Sequence, residues 1–378
     1  MSKALSLVVT VIGLSLLIAA LLADQAWWDR HFLPVYFFSR DKYVLGERLV
    51  RLAATAVGLT LIIFVRPAIG RIAKRMTPRE IFAATLRITL AIGLALAAAE
   101  ILLGHKYAFA AAETQAGEEP VRQPDARLGW VFAPSHDGTV MVGGRMISYS
   151  TDPHGYRVSG HGKAVDPSLP SLVFTGESII AGYGLNWDET IPAQVGALLG
   201  TQSAAIAVFG YGNDQAYLRL AAELPRFRRP VAVVSLFIPS LFARNLGDDR
   251  PHLDARLNWM PAIHRLRLSA MARFFVPYHS QAEIEQGIAA TRATLLASAA
   301  LARQRGAVGL VVDPQFGPES PVERMLRHRI LDDAKIPYVQ VPLDPSWHLK
   351  GDLHPDPRAA HAIAMAIAAR LQTHLAAK

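Results

Sequence analysis

Ser171–Gly184 reads SLVFTGESIIAGYG. An apolar run of strand character stops at a glycine, a lone serine follows at 178, and two further glycines come at 182 and 184. A serine between a strand and a helix has two readings. Its hydroxyl can cap the helix by accepting a free backbone N–H, or it can stand at the strand end as a nucleophile. A helical pattern is plain only from Asp188 onward, so a cap is better placed there. Gly182 and Gly184 point to a close backbone approach rather than a simple helix entry. The choice depends on what the rest of the chain brings to this strand end.

Downstream, short β-type runs alternate with amphipathic helical stretches. SLVFTG (171–176) precedes a helix at about 188–199, AAIAVF (204–209) precedes NDQAYLRLAAELPRF, and VAVVSLFI (231–238) precedes an irregular segment and IHRLRLSAMARFF. AVGLVVD (307–313) follows a helix at about 281–305, and IPYVQVP (336–342) precedes the helix PRAAHAIAMAIAARLQTHL. Upstream, MVGGRMISYSTDPHGYR predicts a hairpin turning at Gly143-Gly144. Continuous apolar strands spaced by helices predict an α/β fold whose mostly parallel sheet is covered on both faces. Ligands of such sheets bind beyond the carboxyl ends of the strands. Those ends carry Gly176-Glu177-Ser178, Gly210, Pro239-Ser240 and the loop containing Asp352 and His354.

That last loop, WHLKGDLHPDPRAAHAIA, moves the balance at Ser178. A serine needs a base to become a useful nucleophile, and the base needs an orienting carboxylate. Asp352 and His354 are two residues apart, so an extended loop can aim both side chains to one side. Asp356-Pro357 reads as a helix start, with Asp356 as N-cap, which leaves Asp352 without a capping task. With 13 histidines in the chain, a histidine in a loop is by itself weak evidence.

The first hundred residues are of another kind. Ala4–Ala23 is uncharged and about one bilayer long. Leu49–Val65 carries Arg51 near its start, and Ile81–Gly104 carries Arg87 and Glu100 near its ends, where side chains can snorkel. These predict three transmembrane spans over residues 1–104, a polar linker over 105–124 and an exported domain over 125–378. The loop RPAIGRIAKRMTPRE between spans two and three is strongly basic, whereas the loop between spans one and two is nearly charge-balanced. By the positive-inside rule the N-terminus and the basic loop are cytoplasmic and the C-terminal domain faces the periplasm of a bacterial inner membrane. Trp27, Trp28, Tyr36, Phe37 and Phe38 suit an interfacial aromatic belt. A cleaved signal peptide is the other reading of the first span, and it leaves the C-terminal domain on the same side.

Composition excludes several chemistries. With 378 residues, 51% hydrophobic and 19% charged, the apolar excess sits in the spans. The chain has no cysteine, so disulfides, thiolate metal sites and a cysteine nucleophile are out. The net charge of +8 includes the basic loop, which reads as a topology signal rather than a nucleic-acid patch. No metal spacing, P-loop or dinucleotide fingerprint is present, and no cofactor is expected. The nucleophile elbow G-x-S-x-G is absent because position 180 is Ile.

From Asp125 to the C-terminus the chain resembles the SGNH, or GDSL, hydrolases. VFTGESIIAGYG is similar to their first block, with Ser178 at the nucleophile position and Glu177 in place of the usual Asp. AIAVFGYGNDQAYLRL is similar to the second block, and places Gly210 as an oxyanion-hole N–H donor. VVSLFIPSLFARN occupies the third, and GDLHPDPRAAHAIA the last, with Asp352 and His354 as orienter and base. PDARLGWVFAP and YSTDPHGYR are similar to a lead-in of exported members. The resemblance implies a three-layer, flavodoxin-like sandwich. It departs at the third block, where Ser240-Leu241 replaces Asn-Asp, and at Ala205, where an Asn is usual. Loss of one oxyanion donor costs on the order of 2.7–4 kcal/mol. Ser240 offers a hydroxyl of shorter reach, and Asn245 lies nearby.

The function implied is a membrane-anchored serine esterase or O-acyl (acetyl) transferase. Its oxyanion hole would use Ser178 and Gly210, with Ser240 as a shorter-reaching third donor. Its substrates would be ester groups of extracellular or cell-wall glycans, or lipid esters, held near the bilayer. The alternative is a catalytically impaired subunit of a membrane assembly with partner proteins.

Overall fold

The computed structural model describes residues 2–33, 35–36, 38–73, 75–113, 119–246, 250–262, 266–269 and 278–376. The chain forms two compact units. One comprises Met1–Pro34, Phe38–Phe109 and Arg265–His279; the other comprises Val35–Phe37, Ala110–His264 and Ser280–Lys378. Two short segments therefore change sides relative to a simple cut of the sequence. Residues 35–37 of the first inter-span loop join the α/β unit, and residues 265–279 join the apolar helices. Of the expected IHRLRLSAMARFF helix, residues 263–265 and 270–275 lie outside the described residues.

The first unit has three helices long and apolar enough to cross a membrane: Leu5–Leu22, Arg40–Ile72 and Pro78–Gly104. The second begins well before the expected Leu49. The third belongs to a helix that runs on to Glu113, so the first part of the expected linker is helical. The first two helices approach through glycines. A Cβ on Gly13 would lie 2.7 Å from Ile62 Cγ1, and one on Gly58 would lie 2.9 Å from the Gly13 carbonyl oxygen. Small residues at such a crossing let backbones pack closely where lipid supplies no hydrophobic drive. Arg51 pairs with Glu47 at 2.8 Å, and its Nε donates to the Ala20 carbonyl. Glu100 accepts the backbone N–H groups of Arg267 and Leu268 at 2.7 and 2.8 Å.

The second unit is built on one eight-stranded sheet. Its strands are β1 (Asp137–Val142), β2 (Arg145–Thr151), β3 (Arg157–Val158), β4 (Pro170–Phe174), β5 (Gln202–Ala205), β6 (Arg229–Leu236), β7 (Val308–Phe316) and β8 (Tyr338–Leu343). They lie in the order β8-β7-β6-β4-β5-β3-β2-β1. The hairpin β1–β2 turns through Gly143 and Gly144, both left-handed (φ 59° and 82°), and pairs Val142 with Arg145. Two central positive-φ residues give the turn whose twist matches the strands. β4 to β8 are mutually parallel. Numbered among themselves, these five run 2-1-3-4-5, so the winding reverses between β4 and β6.

Both faces are covered because the strands alternate. Leu172, Phe174, Ala232 and Val234 pack in the core that contains Val195, Ile363 and Ile367. Val173, Val233 and Ala204 pack in the other, with Leu220 and Ala302. The helices Ile191–Leu199 and Pro357–Ala376 cover the first face, and Asn213–Glu223 and Gln281–Gln304 the second. The architecture is the expected three-layer sandwich. The second parallel strand is shorter than read: paired strand ends at Ala205, and Ile206 and Val208 continue with N–H groups donated to Phe174 and Gly176 carbonyls.

One buried acid lies off the crevice. Asp313 on β7 is fully buried; its Oδ1 has no hydrogen-bond partner among the described residues, and Oδ2 accepts only a 3.3 Å bond from Gln340. Burial pushes its carboxyl up to about 7, with Arg327 opposing. A carboxyl raised in the folded state binds its proton more tightly there than unfolded, so stability is lost as pH rises. The full-length chain in detergent is expected to lose about 2–3 kcal/mol between pH 5 and pH 8 from this group. Thermal midpoints of wild type and Asp313→Asn should diverge over that range; parallel curves would refute the assignment.

Candidate active site

The reversal between β4 and β6 opens a crevice at their carboxyl ends, the place where such sheets bind ligands. The chain leaves β4 through Thr175, Gly176 and Glu177 and enters a single helical turn, Ser178–Ala181. Glu177, not Ser178, caps this turn: its carboxylate accepts the Ile179 N–H at 3.1 Å. The turn is too short to leave a helical period in the sequence. Gly182 (φ 77°) ends it, and a Cβ there would lie 2.4 Å from Thr190 Cγ2.

Ser178 is buried, with its Oγ 2.8 Å from His354 Nε2. His354 Nδ1 is 2.6 Å from Asp352 Oδ1, the same oxygen that accepts the His354 backbone N–H at 2.8 Å. This double contact fixes the loop in which the acid and imidazole share one side. It also draws the Asp352 carboxyl below its usual range, the imidazole hydrogen bond being the main cause. The Leu349 N–H closes the loop onto the His354 carbonyl, and Asp356 caps the next helix through the Ala359 N–H. Tyr183 lies against the imidazole, with ring centroids 4.4 Å apart. Ser178 is thus joined to the sequence-distant pair His354 and Asp352 in one hydrogen-bonded chain.

Gly210 and Ser240, the other expected residues, follow the second and third parallel strands. Gly210 follows the second parallel strand in a left-handed turn (φ 80°), packed on Trp130, whose indole N–H donates to the Phe209 carbonyl. Ser240 lies on the 3₁₀ turn Pro239–Asn245 after β6, with its carbonyl accepting the Tyr36 N–H at 2.9 Å. A hollow beside Glu177 is lined by Asn213, Leu241, Arg244 and Asn245 among others; Ser178, Gly210, Ser240 and His354 are not in its lining. Asn245 is engaged elsewhere. Its Nδ2 donates to Asn213 Oδ1 at 3.0 Å while its Oδ1 accepts the Asn213 N–H at 2.8 Å.

No family model and no curated protein matches the chain. Solved structures are similar to it. They include a carbohydrate acetylesterase family member from Sinorhizobium meliloti, 11% identical, with a TM-score of 0.35 over 55% of this chain and 100% of that one. A GDSL-like lipase from Bacteroides thetaiotaomicron is 15% identical, with a TM-score of 0.33 over 54% of this chain and 88% of that one. A member of the lipolytic protein G-D-S-L family from Veillonella parvula is 10% identical, with a TM-score of 0.32 over 52% and 94%. The structural neighbours are thus GDSL lipolytic proteins and carbohydrate acetylesterases.

Four features of the site were not read from sequence. The Glu177 carboxylate reaches the Ser178 hydroxyl itself, with Oε2 2.5 Å from Ser178 Oγ. A glutamate is one methylene longer than the aspartate usual in the resembling family. Arg244 stands behind it, its Nη1 3.4 Å from the same Oε2.

Arg157 is completely buried and donates to the carbonyls of Ala181, Gly182 and Leu185, with its guanidinium over the Tyr149 ring. It holds the loop that follows Ser178. Burial pushes it down to about 10, which leaves it charged at neutral pH.

Tyr36, assigned from sequence to an aromatic belt, instead donates its hydroxyl to the Leu353 carbonyl at 2.8 Å. Its ring centroid is 6.4 Å from that of His354. Burial raises its phenol, and the Glu177 and Asp352 carboxylates add to the effect. An exposed belt position and a buried site position carry the same residue type, so composition gave no means of telling them apart.

Proposed function

We propose that the chain is a membrane-anchored serine ester hydrolase or O-acyltransferase whose α/β unit faces the periplasm. The observation that carries this reading is the continuous contact from Ser178 Oγ to His354 Nε2 and from His354 Nδ1 to Asp352. In the reaction, Ser178 Oγ attacks an ester carbonyl while its proton passes to His354 Nε2. Asp352 holds the Nδ1–H tautomer and stabilises the imidazolium. The Ser178 and Gly210 N–H groups receive the oxyanion. His354 then protonates the departing alcohol, leaving an acyl group on Ser178. Water gives hydrolysis in the second half; a sugar hydroxyl gives transfer.

Acetyl groups on extracellular or cell-wall glycans are the preferred substrates on this reading, in keeping with the acetylesterases among the similar structures. Three helices of membrane-spanning length and a basic loop between the second and third support the anchoring and its orientation. The test is a fluorophosphonate label on the full-length chain in detergent. Wild type is expected to be labelled and Ser178→Ala not; equal labelling of both would remove Ser178 from the role.

A second reading, a catalytically impaired subunit of a membrane assembly, is favoured by two observations. A carboxylate contacts the Ser178 hydroxyl, and the Asn245 amide is committed elsewhere. Purification of a stoichiometric partner together with no turnover of p-nitrophenyl acetate would select it.

A further inference from the structure

The crevice poses an electrostatic problem that the triad alone does not solve. Attack by Ser178 creates an oxyanion beside a carboxylate that already touches the nucleophile at 2.5 Å. The third-block amide that would offset this is missing, and Asn245 is bound to Asn213. One cation lies beside that carboxylate. Arg244 lies on the 3₁₀ turn after β6, the element in which the resembling hydrolases carry their third donor. Its Nη1 and the Ser178 Oγ both contact Glu177 Oε2, at 3.4 and 2.5 Å, so Nη1 is no farther from Oγ than those two distances combined. Neither of its contacts is tight: 3.4 Å to Glu177 and 3.5 Å to the Tyr211 carbonyl, both at the outer limit of hydrogen bonding. Its side chain is one-quarter exposed, on the rim rather than locked in the core.

We propose that Arg244 is a catalytic residue of this reaction, supplying in place of the missing asparagine the third donor and the counter-charge for the oxyanion on Ser178. In the resting site it faces Glu177. As the carbonyl oxygen becomes anionic, one guanidinium N–H turns from the long Glu177 contact to the new and stronger acceptor. The five N–H donors of a guanidinium allow it to keep Glu177 neutralised while doing so. Because Arg244 acts on charge that exists only after attack, it raises kcat rather than substrate affinity.

The proposal rests on the esterase reading, and the experiment separates the two. The full-length chain in detergent is assayed with p-nitrophenyl acetate and with the fluorophosphonate label. Arg244→Ala is expected to lose about 10²–10³ in kcat, with KM changed less than about threefold. Arg244→Lys, which keeps the charge with fewer donors, should fall between. Adding Glu177→Gln to Arg244→Ala should recover about tenfold of the lost kcat, because the uncompensated carboxylate is gone; a purely structural arginine predicts a further loss instead. If Arg244→Ala does not reach the wild-type thermal midpoint, Arg244→Gln, neutral and close in volume, takes its place with the same expected loss. Wild type labelled at Ser178 with kcat unchanged in the arginine variants overturns the proposal alone. Wild type without label at Ser178 overturns the esterase reading and the proposal with it.

Discussion

Replacing His354 with alanine is expected to lower kcat of the full-length chain on p-nitrophenyl acetate by about 10⁶, and replacing Asp352 with asparagine by about 10⁴. The asymmetry follows from the geometry. His354 Nε2 is the proton acceptor nearest Ser178 that also has a carboxylate partner on its far side, and no other imidazole contacts the nucleophile among the described residues. Asp352 acts one bond removed: an amide in its place can present N–H to Nδ1 and stabilise the wrong tautomer. Adding His354→Ala to Ser178→Ala should cost almost nothing more, since a unit fails when one member is lost. Its pH dependence has a definite sign. The Asp352 carboxyl is held below its ordinary range by the imidazole hydrogen bond, so it stays ionised, and keeps orienting His354, below the pH where a free aspartate would protonate. Loss of rate on the acid side should therefore not carry the ordinary aspartate midpoint near pH 3.9. Equal and small losses in both single variants would refute the triad.

The second large effect is on stability. Arg157→Met is expected to destabilise the α/β unit by on the order of 4 kcal/mol, since each buried carbonyl left without a partner costs about 1–3 kcal/mol. Three carbonyls depend on it, from Ala181, Gly182 and Leu185, and the methionine side chain fills much of the volume without donating. At about 2–4 °C per kcal/mol for a unit of this size, the thermal midpoint should fall by roughly 10 °C. Because the same carbonyls shape the turn after Ser178, labelling at Ser178 should slow even below the new midpoint. A midpoint shifted by less than about 2 °C would mean that water replaces the guanidinium and that the loop does not depend on it.

The layout of strands and helices was legible because it is written in runs of like residues. The strands β4 and β6 carry the apolar runs Leu172–Phe174 and Val231–Val234, and the rule that ligands gather at strand ends then singled out Ser178 and the loop of Asp352 and His354. What escaped depends on conformation rather than composition. The turn Ser178–Ala181 has too few residues to show a period, so the cap at Glu177 was invisible and its carboxylate was not seen to reach the serine. Arg157 sits in YSTDPHGYR, where an arginine would ordinarily be solvated, and nothing in the string announces that three carbonyls converge on it. The third apolar helix outlasts its hydrophobic stretch because alanine-rich, polar sequence still favours helix, and a boundary drawn by hydropathy stops too early.

Tyr36 has a practical consequence. It belongs to the α/β unit and bridges Ser240 and Leu353, yet it is encoded ahead of two of the three long apolar helices. A shortened gene starting after those helices, the usual recipe for a water-soluble version, would therefore express a protein without the residue that ties the loop of His354 to the turn after β6. Rates measured on such a fragment would belong to the fragment.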